Sequence, residues 1–345
     1  MTRFLVRPTL IGLILTLVTL SGCSSVEDGL MGRVVRSNFE AQPEPLDGMR
    51  VVVCGSASPL GNDPKRAQAC IAVITKEHFL LFDVGARSPL RMAQARMPMA
   101  RLDGVFLTHF HSDHIAALPD VNLVSWVQGR RESLPVYGGA GVEEVVGGFN
   151  KAYRLDQLYR TEHHGPKLLP PAAGPMTARP IKAGDVVFED ELIRVTSFPV
   201  EHPPIEPAVG YRVDYGGRSV VISGDTNASD SLFAAAKDAD LVLHDALARH
   251  MLDIMIEVTT EADIQPMPQI MSDVIDYHAD TLTLEAAADA AGVRQLALYH
   301  LVPAPPEGIG ERVFRRGLSD DTILVRDLYT FDLPIDSTEI RITEP

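Results

Sequence analysis

Thr108-His109-Phe110-His111-Ser112-Asp113-His114 is the stretch that decides how this chain is read. Four metal-capable side chains, His109, His111, Asp113 and His114, fall within six residues, directly after the apolar run Val105-Phe106-Leu107. A strand that ends in His-x-His-x-Asp-His delivers these groups onto a tight loop at a sheet edge. There His109 and His111 can hold one cation while Asp113 and His114 turn toward a second. Imidazole and carboxylate are the ligands of catalytic zinc, whereas closed structural zinc sites lean on thiolates. A surface loop that merely carries histidines has no reason to gather three of them and an aspartate at this spacing. The cluster reads as a metal site.

A two-cation site needs more ligands from distant positions, including a carboxylate shared between the metals. His202 stands in Phe198-Pro-Val-Glu-His202-Pro-Pro, after the strand-like Ile193-Arg-Val-Thr-Ser. Asp225 follows the apolar run of Val220-Val-Ile-Ser-Gly-Asp225-Thr, and His300 closes Gln295-Leu-Ala-Leu-Tyr-His300. Each sits where a strand gives way to a loop, as polar groups converging on one sheet edge should. Taken singly, each is ambiguous, since a lone histidine at a strand end is more often a satisfied core residue. Together and in this order they resemble the metallo-β-lactamase superfamily along the whole chain beyond its leader. The resemblance implies an α/β fold: an αββα sandwich of two mixed sheets flanked by helices, as a single domain. It also implies two metal ions held by His109, His111, Asp113, His114, His202, Asp225 and His300, with Asp225 shared. Zinc is the first choice for such ligands, and manganese or iron fit the same set. Asp83, after His78-Phe-Leu-Leu-Phe82 and before Val84-Gly85, resembles a structural acid of the superfamily outside the ligand set.

Further motifs narrow the branch. They are Pro207-Ala-Val-Gly-Tyr211, Ser223-Gly-Asp225-Thr, Leu243-His244-Asp245-Ala246 and Tyr277-His278-Ala-Asp, followed by the helix-like Leu284-Glu-Ala-Ala-Ala-Asp-Ala-Ala. This pattern resembles the ribonuclease Z and arylsulfatase-like branch. The resemblance implies that His278 contacts the scissile group and helps the leaving group depart, and that a carboxylate holds that histidine. Where the branch reads His-Glu-Ala-Thr, this chain has His244-Asp245-Ala246-Leu247, so Asp245 supplies a carboxylate one methylene shorter. The other reading of His244 and Asp245 is a strand-end pair making local hydrogen bonds. Asp113, besides its ligand role, is expected to orient the attacking water or accept its proton.

Two departures bear on substrate. Ribonuclease Z enzymes of the tRNA-processing type carry a long arm between the segments matching His202 and Asp225. Here only Tyr211 to Ile222 joins those segments, with the pattern of a hairpin turning at Gly216-Gly217. The net charge is −15, and gripping a phosphate backbone calls for a basic footprint. Bound metals can still supply local positive charge for a small diester. The sequence therefore favours a dinuclear hydrolase of small phosphodiesters or aryl sulfates, with a small-molecule ester rather than nucleic acid as its partner. A tRNA 3′ endoribonuclease ranks second, and a non-catalytic metal-binding envelope lipoprotein third.

Arg3 and Arg7 precede Thr9-Leu-Ile-Gly-Leu-Ile-Leu-Thr-Leu-Val-Thr-Leu20, too short an apolar run to span a bilayer comfortably and suited to a signal-peptide core. It ends in Leu20-Ser21-Gly22-Cys23, which resembles a bacterial lipobox. The resemblance implies a lipoprotein signal peptide over residues 1–22 and a lipid-modified Cys23. Residues 23–48, with Pro43 and Pro45, then form a tether, and the hydrolase domain spans 49–345. Ser24 resembles the residue that sends lipoproteins to the outer membrane. The expected place is the periplasmic side of a bacterial envelope, with membrane attachment through lipid alone. Homo-oligomerisation stays open. Cys54 and Cys70 then remain as an even pair in an oxidising compartment, which invites a disulfide, although two buried thiols satisfy the same pattern. Apolar spacing predicts helices near 87–97, 142–158, 229–237, 248–257 and 281–291. His163 and His164 either line the substrate mouth or cap a surface helix. Met251, Met255, Met267 and Met271 suit core packing or a helical lid.

Overall fold

The protein is described here by a computed structural model covering residues 26–36, 46–60 and 63–345. It divides into two compact units, Met1–Glu44 and Pro45–Pro345. In the first unit, residues 26–36 form an exposed helix, α1, within the stretch expected to be a tether. The expected signal peptide and Cys23 lie outside the described residues. Among the described residues no helix is long and apolar enough to cross a membrane.

The larger unit is built on strands β1 (Gly48–Gly55), β2 (Cys70–Ile74), β3 (Phe79–Phe82), β4 (Gly104–Phe106), β5 (Leu134–Gly138), β6 (Met176–Pro180), β7 (Val186–Glu189), β8 (Ile193–Pro199), β9 (Val209–Tyr215), β10 (Arg218–Ile222), β11 (Leu241–Leu247), β12 (Gln295–Val302), β13 (Ile323–Leu324), β14 (Thr330–Pro334) and β15 (Arg341–Thr343). One sheet has the order β15-β14-β1-β2-β3-β4-β5-β6 and the other β13-β12-β11-β10-β9-β8-β7. Helices are α2 (Ser88–Gln94), α3 (Ser112–Ile115), α4 (Leu118–Gln128), α5 (Val142–His164), α6 (Asp230–Ala235), α7 (Arg249–Glu261), α8 (Met267–Asp273), α9 (Thr281–Ala290) and α10 (Ile309–Phe314).

The apolar runs form strands covered on both faces, because successive side chains of a strand point to opposite sides. Val51, Val53, Ile71, Val73, Leu80 and Phe82 face the core between the sheets, where Tyr211, Val220, Ile222, Leu241 and Leu243 meet them. Their neighbours Val52, Ala72, Phe79 and Leu81 point the other way, onto Met92 of α2, Leu118 and Val121 of α4, and Val142 and Val146 of α5. On the second sheet Val221 and Val242 face Leu232 of α6, Leu284 and Ala288 of α9, and Phe314 of α10. The result is the expected αββα sandwich.

All five predicted helices form, and α5 continues past the expected end to His164. The sequence did not signal α4, Leu-Pro-Asp-Val-Asn-Leu-Val-Ser-Trp-Val-Gln, because its apolar residues lie all round the helix. Its Pro119 occupies the first turn, where no helical N–H partner is lost. Cys54 and Cys70 are disulfide-bonded, with Cα atoms 4.9 Å apart. Cys54 is the extra residue of a bulge, since Val53 pairs with Ile71 and Gly55 with Cys70. Gly55 is required there: a Cβ would lie 1.8 Å from the Gln68 carbonyl oxygen.

Candidate dinuclear metal centre

The ligand loop leaves β4 at Phe106 and runs into the short helix α3, which carries Asp113 and His114 with both side chains buried. Other elements deliver the remaining groups: the loop after β8 brings His202, the turn after β10 brings Asp225, and β12 brings His300. His300 reaches the site through a bulge. Asp245 of β11 pairs with Tyr299 and Ala246 with Leu301, so His300 has no partner in the ladder. Its φ of +42° lies in the left-handed region, which costs a non-glycine residue roughly 1–3 kcal/mol. Such bulges re-aim a side chain, and this one turns the His300 imidazole onto Asp113 and Asp225.

All seven predicted ligands come together, in two overlapping groups that share Asp225. His109, His111, His202 and Asp225 form one nest; Asp113, His114, Asp225 and His300 form the other, with the ligand atoms of each within 4.8 Å of one another. In the first, His109 Nε2 is 2.9 Å from His111 Nδ1, and His202 Nε2 is 3.4 Å from that same nitrogen. In the second, His300 Nε2 is 3.0 Å from Asp113 Oδ2. Asp225 Oδ2 lies 3.2 Å from His114 Nε2, and its Oδ1 3.2 Å from His300 Nδ1.

Outer groups settle which ring nitrogens face inward. His114 Nδ1 is 2.8 Å from Asp83 Oδ2, His109 Nδ1 is 3.1 Å from Thr108 Oγ1, and His202 Nδ1 is 3.1 Å from the Tyr277 carbonyl. Asp83 also accepts from the Thr108 N–H and hydroxyl, so it locks the start of the ligand loop as well as His114. Metal-bound imidazoles are oriented in this way by a partner on the far nitrogen.

The residues fit a pair of cations. His114 Nε2, His300 Nδ1 and Asp225 Oδ1 are buried and make no hydrogen bond. Buried polar atoms without partners are costly, and three of them pointing into one space mark a missing partner. Charge agrees. Burial would lower the His114 pKa, yet Asp225, Asp83 and Asp113 around it raise it well above its usual value. Burial would raise the pKa of Asp225, but His114 and His300 hold it well below the carboxylate range. Burial, and then His114, push His109 well down, toward the neutral imidazole a metal requires.

Beside the nests stands a second pair. His278 Nδ1 is 2.8 Å from Asp245 Oδ2, and both side chains are buried. The other Asp245 oxygen accepts from the Thr226 N–H at 3.3 Å, and the Asp245 N–H donates to Ser223 Oγ at 2.9 Å. Aspartate therefore reaches His278 despite being one methylene shorter than glutamate. The local strand-end bonding also occurs: His244 Nδ1 is 2.8 Å from the Asp245 carbonyl. The His278 ring lies 5.5 Å from those of His202 and His300.

His163 and His164 sit exposed at the end of α5, 23 residues long, whose start at Gly141 touches Phe110 of the ligand loop. At 1.5 Å rise per residue they stand roughly 30 Å away and do not line the site. The methionines pack in the core as expected: Met271 is buried in a satellite cluster with Leu252 and Val302, against which Met255 and Met267 pack, and Met267 also lines the cavity at the metal centre. Sequence reasoning missed Thr108 and Tyr277 as partners of ligand histidines; only their adjacency to His109 and His278 marked them.

Residues 80–301 match the family model described as the beta-lactamase superfamily domain. The chain is 35% identical over 268 residues to a protein named ribonuclease Z from Mycobacterium bovis, covering 76% of this chain and 90% of the relative. It is 33% identical over 264 residues to ribonuclease Z of Mycolicibacterium gilvum, covering 75% and 86%. Among solved structures, the metallo-beta-lactamase fold protein YhfI of Bacillus subtilis superimposes with a TM-score of 0.59 at 19% identity, covering 83% of this chain and all of that one. The human short-form tRNase Z gives the same TM-score and coverage at 17% identity. The chain belongs to the metallo-β-lactamase superfamily and, within it, to the ribonuclease Z family of metal-dependent hydrolases.

Proposed function

We propose that the chain hydrolyses phosphodiesters by ribonuclease Z chemistry, as a tRNA 3′ endoribonuclease. The observation that carries this reading is the buried His278–Asp245 hydrogen bond beside two overlapping ligand nests, in a chain 35% identical to a ribonuclease Z over 90% of that relative. The ranking reverses the one the sequence alone supports, and aryl sulfates gain no support from the relatives.

His109, His111 and His202 would hold one cation, Asp113, His114 and His300 the other, with Asp225 between them. When bound, such a pair supplies Lewis acidity, polarising a phosphoryl oxygen and acidifying water toward neutral pH. The protein's own groups do the rest. Water adds to phosphorus, the bond from phosphorus to the leaving alcohol breaks, and His278 Nε2 gives its proton to the departing oxygen. Asp245 accepts the Nδ1–H, which fixes the ring and leaves Nε2 for the cavity that His278 lines. Burial opposes a charged His278, but the hydrogen bond to Asp245 and the charges of Asp225 and Asp245 prevail and raise its pKa. Asp113 stays ionised: burial works against it, but His114 and His300 hold it far below the carboxylate range, so it orients the attacking water as a hydrogen-bond acceptor while the water's proton passes on to solvent.

A second reading, hydrolysis of small diesters, rests on the connection between β9 and β10. It is a tight hairpin at Gly216-Gly217, with no protruding arm to grip a folded RNA. Anchoring through Cys23 on the periplasmic side belongs with this reading. Precursor tRNA and bis-p-nitrophenyl phosphate, offered to the zinc-loaded chain, decide between them. Trimming of the RNA is expected; turnover of the small diester with intact RNA establishes the second reading, and turnover of neither refutes both.

A further inference from the structure

A cavity of about 380 Å³ opens at the metal centre, and much of its lining is apolar. Asp225, His278 and His300 give it polar groups, Met267, Ile270 and Tyr277 share its lining, and that described lining holds no Lys or Arg. Met267 and Ile270 belong to α8, within the segment that links Asp245 to His278. Tyr277 immediately precedes His278, so one stretch of backbone sets both the acid and this ring. Its ring stands edge-on to His202, centroids 4.9 Å apart at 87°, and 5.0 Å from His278. Ile270 is 42% exposed, an apolar side chain left at the mouth of an otherwise charged site.

We infer that Tyr277, Met267 and Ile270 form a subsite for an aromatic ring attached close to the scissile phosphorus. This deepens the phosphodiesterase reading and rests on it. Anything that fills the cavity must also reach Asp225 and His278, so the ring and the ester belong to one molecule. A tyrosine face and a thioether favour flat aromatic groups, and nucleobases stack on such side chains. Without a cationic side chain the wall gives no grip to a second phosphate. Within RNA the ring is the base flanking the cut; in a small diester it is an aryl group.

The test uses the zinc-loaded full chain and three S-ethyl phosphorothiolate diesters whose other ester group is 5′-thymidyl, phenyl or methyl, so that the leaving ethanethiol carries no ring. Tyr277→Ala and the double variant Met267→Ala/Ile270→Ser are compared with wild type. The ring-to-methyl preference in kcat/KM is expected to fall about tenfold in both variants, as loss of one stacked base does. A thymidyl preference identifies a nucleobase, and a phenyl preference an aryl group. Calorimetric binding of thymidine 5′-phosphate against methyl phosphate gives a readout independent of turnover, and the variants should lose the difference. Equal losses on all three diesters, or no loss, overturn the subsite. If wild type with full metal turns over neither these diesters nor precursor tRNA, the phosphodiesterase reading fails; in either case the calorimetry decides the subsite by itself.

Discussion

Asp245→Asn tests whether Asp245 acts through His278 alone. The substitution keeps the volume of a fully buried side chain but replaces the oxygen that faces His278 Nδ1 at 2.8 Å with a neutral amide. A hydrogen bond to a charged group contributes roughly 1.5–3 kcal/mol. With tenfold in rate for each 1.36 kcal/mol, the expected loss in kcat is about 10- to 150-fold. His278→Ala removes the proton donor itself, at a cost of about 10²- to 10⁴-fold. Because Asp245 works through His278, the double variant should be no slower than His278→Ala. Single-turnover cleavage of a diester with a poor alcohol leaving group is the proper assay, since nitrophenolate departs with little need of a proton. Metal content is measured on the same samples, because the Asp245 carboxylate also receives the Thr226 N–H next to Asp225. Additive losses in the double variant, or loss of metal in Asp245→Asn, would refute the positioning role.

Elemental analysis of the reconstituted chain should find two metal ions, and Asp225→Ala, which removes the group shared by both nests, should lose at least one; full occupancy in that variant ends the shared-bridge geometry. Gly224→Ala should lower the melting temperature and the metal content together. Gly224 has φ +64°, and a Cβ there would lie 2.8 Å from Thr108 Cβ, so strain of roughly 1–3 kcal/mol falls between the ligand loop and Asp225. Reduction of Cys54–Cys70, which closes a 16-residue separation, should lower stability by about 3 kcal/mol in urea denaturation, read against a Cys54→Ala/Cys70→Ala variant. Cys23→Ser should free the chain from membranes or leave it unprocessed, and lack of fatty-acid labelling on wild type would dismiss the anchor.

By itself, the sequence determined the strands and the chemistry they carry. Valine- and leucine-rich runs with both faces covered are continuous in the sequence, and a metal ligand at a strand end is written next to the strand that positions it, as His109 follows Phe106. The seven ligands were legible because the dense His109-to-His114 cluster announced a metal site, and His202, Asp225 and His300, ambiguous singly, followed it in order at strand ends. Only the tertiary structure decided how these ends meet. The bulge that frees His300 depends on its pairing with β11, and no local signal in Tyr299-His300-Leu301 encodes it. Whether the shorter Asp245 reaches His278 depends on the spacing between β11 and the segment before α9, a distance set by packing. The helix α4 was invisible because apolar residues all round it leave no period to read: Leu118 and Val121 pack on the sheet while the equally apolar Val127 stays exposed. The apolar wall of α8 has the same origin: Met271 turns into the core and Met267 toward the cavity, a division made by the neighbours of the helix and not by its residues.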